Sequence, residues 1–266
     1  MAAKANYRTY YYKLGVLLDE HGSQLIGQCP LCDKQGHFYV DPDTGQYNCK
    51  RCAESGNNYT MLKHVIVDTT DDEAEELATD RGLDIDVIKQ FVKVNRVNGQ
   101  WVLPSYNSKG KLNNLYHYLP DKDDEDRWVI HSMPFPCAQQ LYLGWAIKPS
   151  HKTIYICEGH WDALAIHQML GSLKAGKSAP YRKGRPSLRA SWAVGVPGST
   201  FKEEWTALLR NKNVILLYDN DKGGKESRKR CITTLQEAQI KPKSLATMHW
   251  RRTDKYNDMR DVLNGA

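Results

Sequence analysis

No stretch of the 266 residues holds the roughly 20 consecutive apolar side chains that cross a bilayer, so a membrane-spanning helix is excluded. Residues 1–12 carry no hydrophobic signal core, which points away from secretion and toward the cytoplasm. Cysteine occurs seven times, an odd number, and four of the seven fall at metal-ligand spacing. That pattern suits a reducing compartment better than a disulfide framework. What the chain does have is a 41% hydrophobic share, enough to fill one large core or a small and a medium one. Its net charge of +6 is compatible with a polyanionic partner, although charge alone does not identify one.

Cys29-Pro-Leu-Cys32 and Cys49-Lys-Arg-Cys52 are paired Cys-x-x-Cys knuckles separated by sixteen residues. Two tight turns at this separation bring four thiolates into a tetrahedron, so Cys29, Cys32, Cys49 and Cys52 are expected to hold one structural Zn²⁺. Cys137, Cys157 and Cys231 have no knuckle partner and are expected to be free of metal. Between the knuckles, residues 37–40 and 46–48 have strand composition and are joined by Asp41-Pro-Asp-Thr-Gly45, a run of turn formers. Such a ribbon would present His37, Tyr39, Lys50 and Arg51, beside Lys34 and Tyr47, to single-stranded nucleic acid, bases stacking on rings and phosphates meeting cations. Phe38 is expected in the ribbon's small core.

Further along, Thr153-Ile-Tyr-Ile-Cys157 is apolar and β-branched enough for a strand buried on both faces. It leads into Glu158-Gly-x-x-Asp162 and then into apolar residues at helical spacing. Strand, tight turn and helix follow one another, with Glu158 at the strand's carboxyl end, the edge where open α/β sheets bind ligands. Glu-Gly-x-x-Asp alone is a weak pattern. A second apolar run, residues 213–218, closes on Asp219-Asn-Asp221 and Lys222-Gly-Gly224, and Asp258 and Asp261 follow another strand at residues 244–249. With these strands parallel, Glu158, Asp219, Asp221 and Asp258 converge on one edge, where their repulsion favours a bound divalent cation, Mg²⁺ or Mn²⁺. Asp162, one helical turn on, is expected to cap or support the site and not to bind metal.

The remaining segments frame these two centres. Residues 10–20 read as a helix with Tyr11, Leu14, Leu17 and Leu18 on one face. Thr70-Asp-Asp-Glu73 has the capping-box pattern and opens an acidic helix that Gly82 stops. Asp84 caps the next helix, with Ile85, Ile88, Phe91 and Val92 as its apolar face. A hairpin spans residues 101–118 with its turn at 107–110, and a strand at 127–131 follows the charged turn 121–126. Residues 171–192 contain Lys174, Lys177, Arg182, Lys183, Arg185 and Arg189 and no acid. Such a loop suits a nucleic-acid backbone, or equally a solvated insertion.

Taken in order, these motifs resemble the DnaG-type primases, in which a zinc ribbon precedes a TOPRIM-containing RNA polymerase domain. Residues 29–52 with Gly56 are similar to the primase ribbon, and Arg81-Gly-Leu83 through Phe91 to the family's linker. Leu103-Pro104 with Gly110 resembles the start of the amino-terminal polymerase subdomain. Leu141-Tyr-Leu-Gly144, Glu158-Gly-x-x-Asp162, Val196-Pro-Gly-Ser199, Asp219-x-Asp221 with Gly224, and Asp258-x-x-Asp261 resemble successive TOPRIM landmarks. Each is weak alone, whereas their order, which covers nearly the whole chain, is specific. Four cysteines in place of three and a histidine resemble the phage primase-helicase branch. The resemblance then implies a stand-alone primase or a fragment, with a separate replicative helicase as partner. Where that branch shows Lys or Arg after the hairpin's second strand, this chain has Tyr116, His117 and Tyr118, which leaves Lys109, Lys111 or the basic loop to take over those contacts.

The resemblance implies an α/β TOPRIM domain with a mostly parallel sheet at 151–266, an α+β amino-terminal polymerase subdomain at 96–150, a helical linker at 69–95, and a small β zinc ribbon at 1–68. It implies a cytoplasmic, bacterial or phage-encoded nucleotidyltransferase that joins ribonucleoside triphosphates into short RNA primers on single-stranded DNA. Asp219 and Asp221 would be the main Mg²⁺ ligands and Asp258 the next candidate, while Glu158 would either bind metal or take the 3′-hydroxyl proton. Gly198, Ser199, Lys202 and Lys225 would meet the triphosphate. His37, Tyr39, Lys50, Arg51, Lys109, Lys111, Lys183, Arg185 and Arg189 would meet DNA. Two other classes stay open at this point: a TOPRIM nuclease, and a zinc-ribbon nucleic-acid-binding module without catalysis, against which the joint presence of all four acids counts.

Overall fold

The computed structural model describes residues 5–119, 129–134, 137–174, 190–240, 245–247 and 257–264. Their contacts divide the chain into one unit of residues 1–71 with 91–139 and a second of residues 72–90 with 140–266. No helix among the described residues is long and apolar enough to cross a membrane.

The first unit opens with α1 (Tyr7–Lys13), whose N-cap Asn6 accepts from the Thr9 amide at 2.9 Å. This corrects the helix expected over residues 10–20, which starts earlier and stops sooner. Gly15 adopts φ +88°, and the Val16 amide turns back onto the Tyr11 carbonyl at 2.9 Å, a glycine-dependent helix stop that periodicity alone does not reveal. Beyond it the chain is extended. Leu18 is buried in β1 (Leu18–His21), and Leu17, expected on the helix face, is 70% exposed.

β1, β2 (Gln24–Gly27), β3 (Phe38–Val40), β4 (Tyr47–Cys49) and β5 (Ser55–Gly56) form an antiparallel meander in chain order. Tyr10 and Tyr11 of α1 fill the space over it, edge-on to one another at 5.4 Å, and Tyr11 meets Phe38 at 5.9 Å. Their hydroxyls stay satisfied: Tyr10 donates to the Asn58 carbonyl at 2.8 Å and Tyr11 to that of Gly45 at 3.0 Å. Helix α2 (Asn58–Val65) follows, closed by a capping box between Asn57 and Thr60.

A second antiparallel sheet comprises β6 (Ile66–Asp68), β7 (Lys93–Asn95), β8 (Trp101–Tyr106), β9 (Leu112–Leu119) and β10 (Val129–Ser132), adjacent in that order. The expected hairpin is β8 and β9, and Asn107 fixes its turn by accepting from the Lys109 and Lys111 amides at 2.9 and 3.1 Å. Residues 66–68, placed at the ribbon's tail from sequence, form an edge strand of this second sheet.

In the second unit, α3 (Asp71–Arg81) buries Ala74, Leu77, Ala78 and Arg81, so the acidic helix expected as part of a linker is packed on one side. Gly82 ends it, and α4 (Ile85–Phe91) starts at Asp84, whose amide donates to the Gln168 side chain at 2.7 Å. The parallel sheet contains β11 (Thr153–Cys157), β12 (Ser191–Gly195), β13 (Asn213–Leu217) and β14 (Leu245–Thr247) in the spatial order β12-β11-β13-β14. Helix α5 (His160–Lys174) leads from β11 to β12, α6 (Lys222–Glu237) leads from β13 toward β14, and α7 (Met259–Asn264) lies near the chain's end. Ile154, Ile156, Val194, Val214, Leu216, Trp205 and Leu235 form the buried core around the sheet. β11 sends the chain to one side of the sheet and β13 sends it to the other. Strand order therefore reverses between them, the position at which open α/β sheets bind ligands at the strands' carboxyl ends.

Candidate active site

Two centres of ligand-bearing side chains emerge, one in each unit. In the first, the knuckles are built alike. Cys29 and Cys49 each donate their amide to the carbonyl five residues on, at 3.0 and 2.8 Å, and each accepts at its carbonyl from the amide four residues on, at 2.9 and 3.0 Å. Asp33 and Ala53, one residue past each knuckle, take φ +57° and +62° to close the turn. Amides are aimed at sulfur in both: Leu31 at Cys29, and Arg51 at Cys49, each at 3.4 Å. Burial opposes ionisation of Cys49, but the amides of Cys52 and Arg51 together with hydrogen bonds from the Cys52 and Cys29 thiols outweigh it and bring its thiol down to about 7.

Cys29 and Cys52 lie 3.9 Å apart at Sγ and Cys32 and Cys49 3.8 Å, and all four sulfurs fall within 4.8 Å of one another. Four thiolates on one Zn²⁺ at about 2.3 Å have sulfur-sulfur edges of about 3.8 Å, so the donor set fits tetrahedral zinc and is too wide for disulfides. Among the described residues this is the only group of three or more close metal-ligating atoms. Cys137, Cys157 and Cys231 are buried elsewhere. Phe38 is fully buried, Tyr39 half-buried, and His37, Lys50 and Arg51 exposed. Tyr39 helps line a cleft of about 540 Å³ whose other walls include Gln24, Asp41, Gln46, Asn48 and Asn57.

In the second unit the register of β11 against β13 pairs Cys157 with Leu217, so Glu158 and Asp219 leave adjacent strand ends. The Asp219 amide donates to Glu158 Oε2 at 3.0 Å across 61 residues of sequence. Asp221 caps α6, accepting from the Gly224 amide at 2.6 Å. Gly224 is required where it stands: a Cβ there would lie 2.3 Å from the Asp219 carbonyl oxygen and 2.7 Å from Glu158 Oε2. Asp258 stands beside this edge, joined to it by the Asn220 amide donating to the Asn257 carbonyl at 2.9 Å.

Like charge accumulates here. Burial first, then Asp162, Glu158, Asp258 and Asp221, push the Asp219 carboxyl up to about 8. Burial and Asp258 raise Asp162 to about 6 against the pull of Arg260. Glu158 is also raised, by burial and by Asp221, while the Asp219 amide, Ser227 and Arg230 oppose the shift. Asp219 and Glu158 are half-buried and Asp221 exposed, a set of oxygen donors of the kind that Mg²⁺ or Mn²⁺ accepts while keeping waters. Asp258 is buried. One of its oxygens takes the Arg260 and Asp261 amides at 2.8 and 3.0 Å, and the other takes the Arg260 guanidinium.

Gly198 and Ser199 are exposed in the turn after β12, Lys202 holds its Nζ 5.6 Å over the Trp205 ring, and Lys225 is exposed on α6. Arg230, which the sequence did not single out, joins two of these features by donating to the Ser199 carbonyl at 3.2 Å and to Ser227 Oγ at 3.0 Å. The helical spacing of Gly224, Ser227 and Cys231, all buried on α6, was the signal available for this face. Tyr116, His117 and Tyr118 are buried in β9, whereas Lys109 and Lys111 are exposed at the hairpin tip. Lys183, Arg185 and Arg189 lie outside the described residues.

A CHC2 zinc finger family model matches residues 12–93, and a Toprim-like family model matches residues 155–263. No curated protein matches the sequence. Among solved structures, the primase of Aquifex aeolicus (zinc-binding and RNA polymerase domains) is similar at 16% identity over 92% of this chain and 76% of its own, with a TM-score of 0.50. A DnaG primase catalytic domain bound to single-stranded DNA is similar at 16% identity over 72% and 67%, with a TM-score of 0.52. The primase fragment of the bacteriophage T7 primase-helicase is similar at 14% identity over 91% and 96%, with a TM-score of 0.49. The chain thus joins a CHC2 zinc finger to a Toprim-like domain and has the fold of the DnaG-type primases.

Proposed function

We propose that the protein is a DNA primase, a template-directed RNA polymerase that assembles short primers from ribonucleoside triphosphates on single-stranded DNA. One observation carries this reading: Glu158 and Asp219 meet at the switch point of a parallel sheet with Asp221 beside them, in a chain that also bears a tetrathiolate ribbon. Asp219 and Asp221 are assigned to hold a divalent cation, and Glu158 to complete its coordination or to take the proton of the attacking 3′-hydroxyl. A carboxylate whose affinity for protons is raised by burial suits that second role. When bound, the cation supplies charge neutralisation for the triphosphate and the departing pyrophosphate.

The protein's own groups then position the reactants. Gly198, Ser199 and Lys202, which follow β12, and Lys225, on α6, are assigned to the triphosphate. The ribbon residues His37, Tyr39, Lys50 and Arg51 are assigned to template bases and backbone, with Lys109, Lys111, Lys183, Arg185 and Arg189 as phosphate contacts. A separate replicative helicase would expose the single strand in the cytoplasm of a bacterial host. The test is incubation with Mg²⁺, single-stranded DNA and labelled ribonucleotides. Short RNA products support the reading, cleaved DNA assigns the edge to a nuclease, and neither product leaves a binding module.

A further inference from the structure

Residues 198–200 form an exposed turn between two buried anchors. Before it, Val196 is buried and donates its amide to the Cys157 carbonyl at 3.0 Å. After it, Phe201 is buried edge-on to Trp205, with ring centres 5.5 Å apart. Gly198 takes φ +80° and a Cβ there would meet nothing within 4 Å, so glycine serves the bend itself. Among the described residues the turn makes a single hydrogen bond: Arg230 of α6 donates Nη2–H to the Ser199 carbonyl at 3.2 Å. The same nitrogen donates to Ser227 Oγ at 3.0 Å, and Ser227 is 3% exposed. One guanidinium thus ties the turn to a buried position on a helix that follows it by 31 residues of sequence.

We propose that Arg230 is a positioning residue for the triphosphate of the incoming nucleotide, acting through the 198–200 turn. The inference rests on the triphosphate role proposed for Gly198 and Ser199 and adds what holds those residues in place. Two acceptors on one nitrogen fix the guanidinium, and its planar fork is already ordered before it bonds. The Ser199 carbonyl would repel an anion, but Arg230 takes it up and sets a permanent positive charge beside it. The amides of the turn and the Ser199 hydroxyl make no hydrogen bond among the described residues and are left for phosphate oxygens. Without the tether the turn would have to be ordered when nucleotide binds, and that cost falls on affinity more than on the chemical step.

The experiment measures binding of labelled ATP by equilibrium dialysis against zinc-loaded protein with Mg²⁺, and primer synthesis on single-stranded DNA at varied ATP. Arg230→Gln should weaken ATP binding about tenfold, as expected for a hydrogen bond from a charged donor. KM for ATP should rise by the same factor, with kcat within about threefold and DNA binding within about twofold of wild type. Arg230→Lys keeps the charge and loses the fork, so it should still weaken ATP about threefold or more. ATP affinity equal to wild type in either folded variant, or kcat falling as far as KM rises, would overturn the inference while leaving primer synthesis standing. A wild type that neither binds ATP nor makes RNA would overturn the proposed function and the inference with it. A thermal melt accompanies each variant, and if Arg230→Gln does not fold, Arg230→Lys decides.

Discussion

The zinc ribbon and the acidic edge both gather ligand atoms, but by different physics. Each knuckle is closed by hydrogen bonds that span no more than five residues, and the four sulfurs come within 4.8 Å of one another. The acidic edge is assembled from strand ends 61 residues apart, and its carboxylates remain spread, half-buried and partly matched by arginine. A site built from local turns is prepared for a metal by sequence spacing alone. A site built at a sheet edge depends on strand register, on a glycine that lets two backbones approach, and on counter-charges that come from helices distant in sequence.

The largest effect that would test this contrast is loss of the ribbon's metal. Cys49→Ser should take bound zinc from one per chain to near zero and unfold the ribbon, because structural zinc contributes on the order of 10 kcal/mol to folding. Metal analysis with a thermal melt measures both, and undiminished zinc would show that the four-sulfur geometry is incidental. At the acidic edge a methyl group is expected to matter more than its size suggests. Gly224→Ala should cost about 1–3 kcal/mol, because the added carbon meets fixed backbone oxygen and Glu158. Gly223→Ala, whose Cβ would meet only Asp221 Oδ1 at 3.5 Å, should be neutral or slightly stabilising. Equal melts for the two alanine variants would remove the close approach from the account.

A smaller effect lies in the first unit. His117 donates Nδ1–H to Gln100 Oε1 at 2.9 Å, since Asn98 donates to the same oxygen while its own oxygen is held by the Gln100 amide. Burial, with Lys13 and His131 nearby, lowers its pKa from 6.5 to about 4. The folded value lies below the unfolded one, so the stabilisation is complete above pH 6.5 and is lost as pH falls from there toward 4. Denaturant midpoints near pH 7 and pH 5 should differ by about 2 kcal/mol more in wild type than in His117→Gln. An identical pH response would show that His117 binds its proton equally well in the folded and unfolded states.

Legibility in the sequence follows the same divide. The knuckles, the hairpin at 101–118 and the three strands carrying Glu158, Asp219 and the approach to Asp258 could be read from spacing, because turn residues and apolar runs are local signals. The first helix was misplaced, since Leu14, Leu17 and Leu18 keep helical spacing while Gly15 has already turned the chain. Arg230 and Arg260 were not legible as parts of the site. Nothing near them in sequence tells a solvated arginine from one that tertiary contact brings against a carboxylate.

The central claim, that the acidic edge synthesises RNA, is tested most directly by Asp221→Asn. Asparagine is as good a helix cap as aspartate, so the Gly224 hydrogen bond and the fold should survive and the thermal melt should be nearly unchanged. Primer synthesis on single-stranded DNA across a Mg²⁺ titration should fall about 10²-fold or more, as when a preorganised charge stabiliser is removed, with DNA binding close to wild type. Near-normal synthesis by the folded variant would contradict the account.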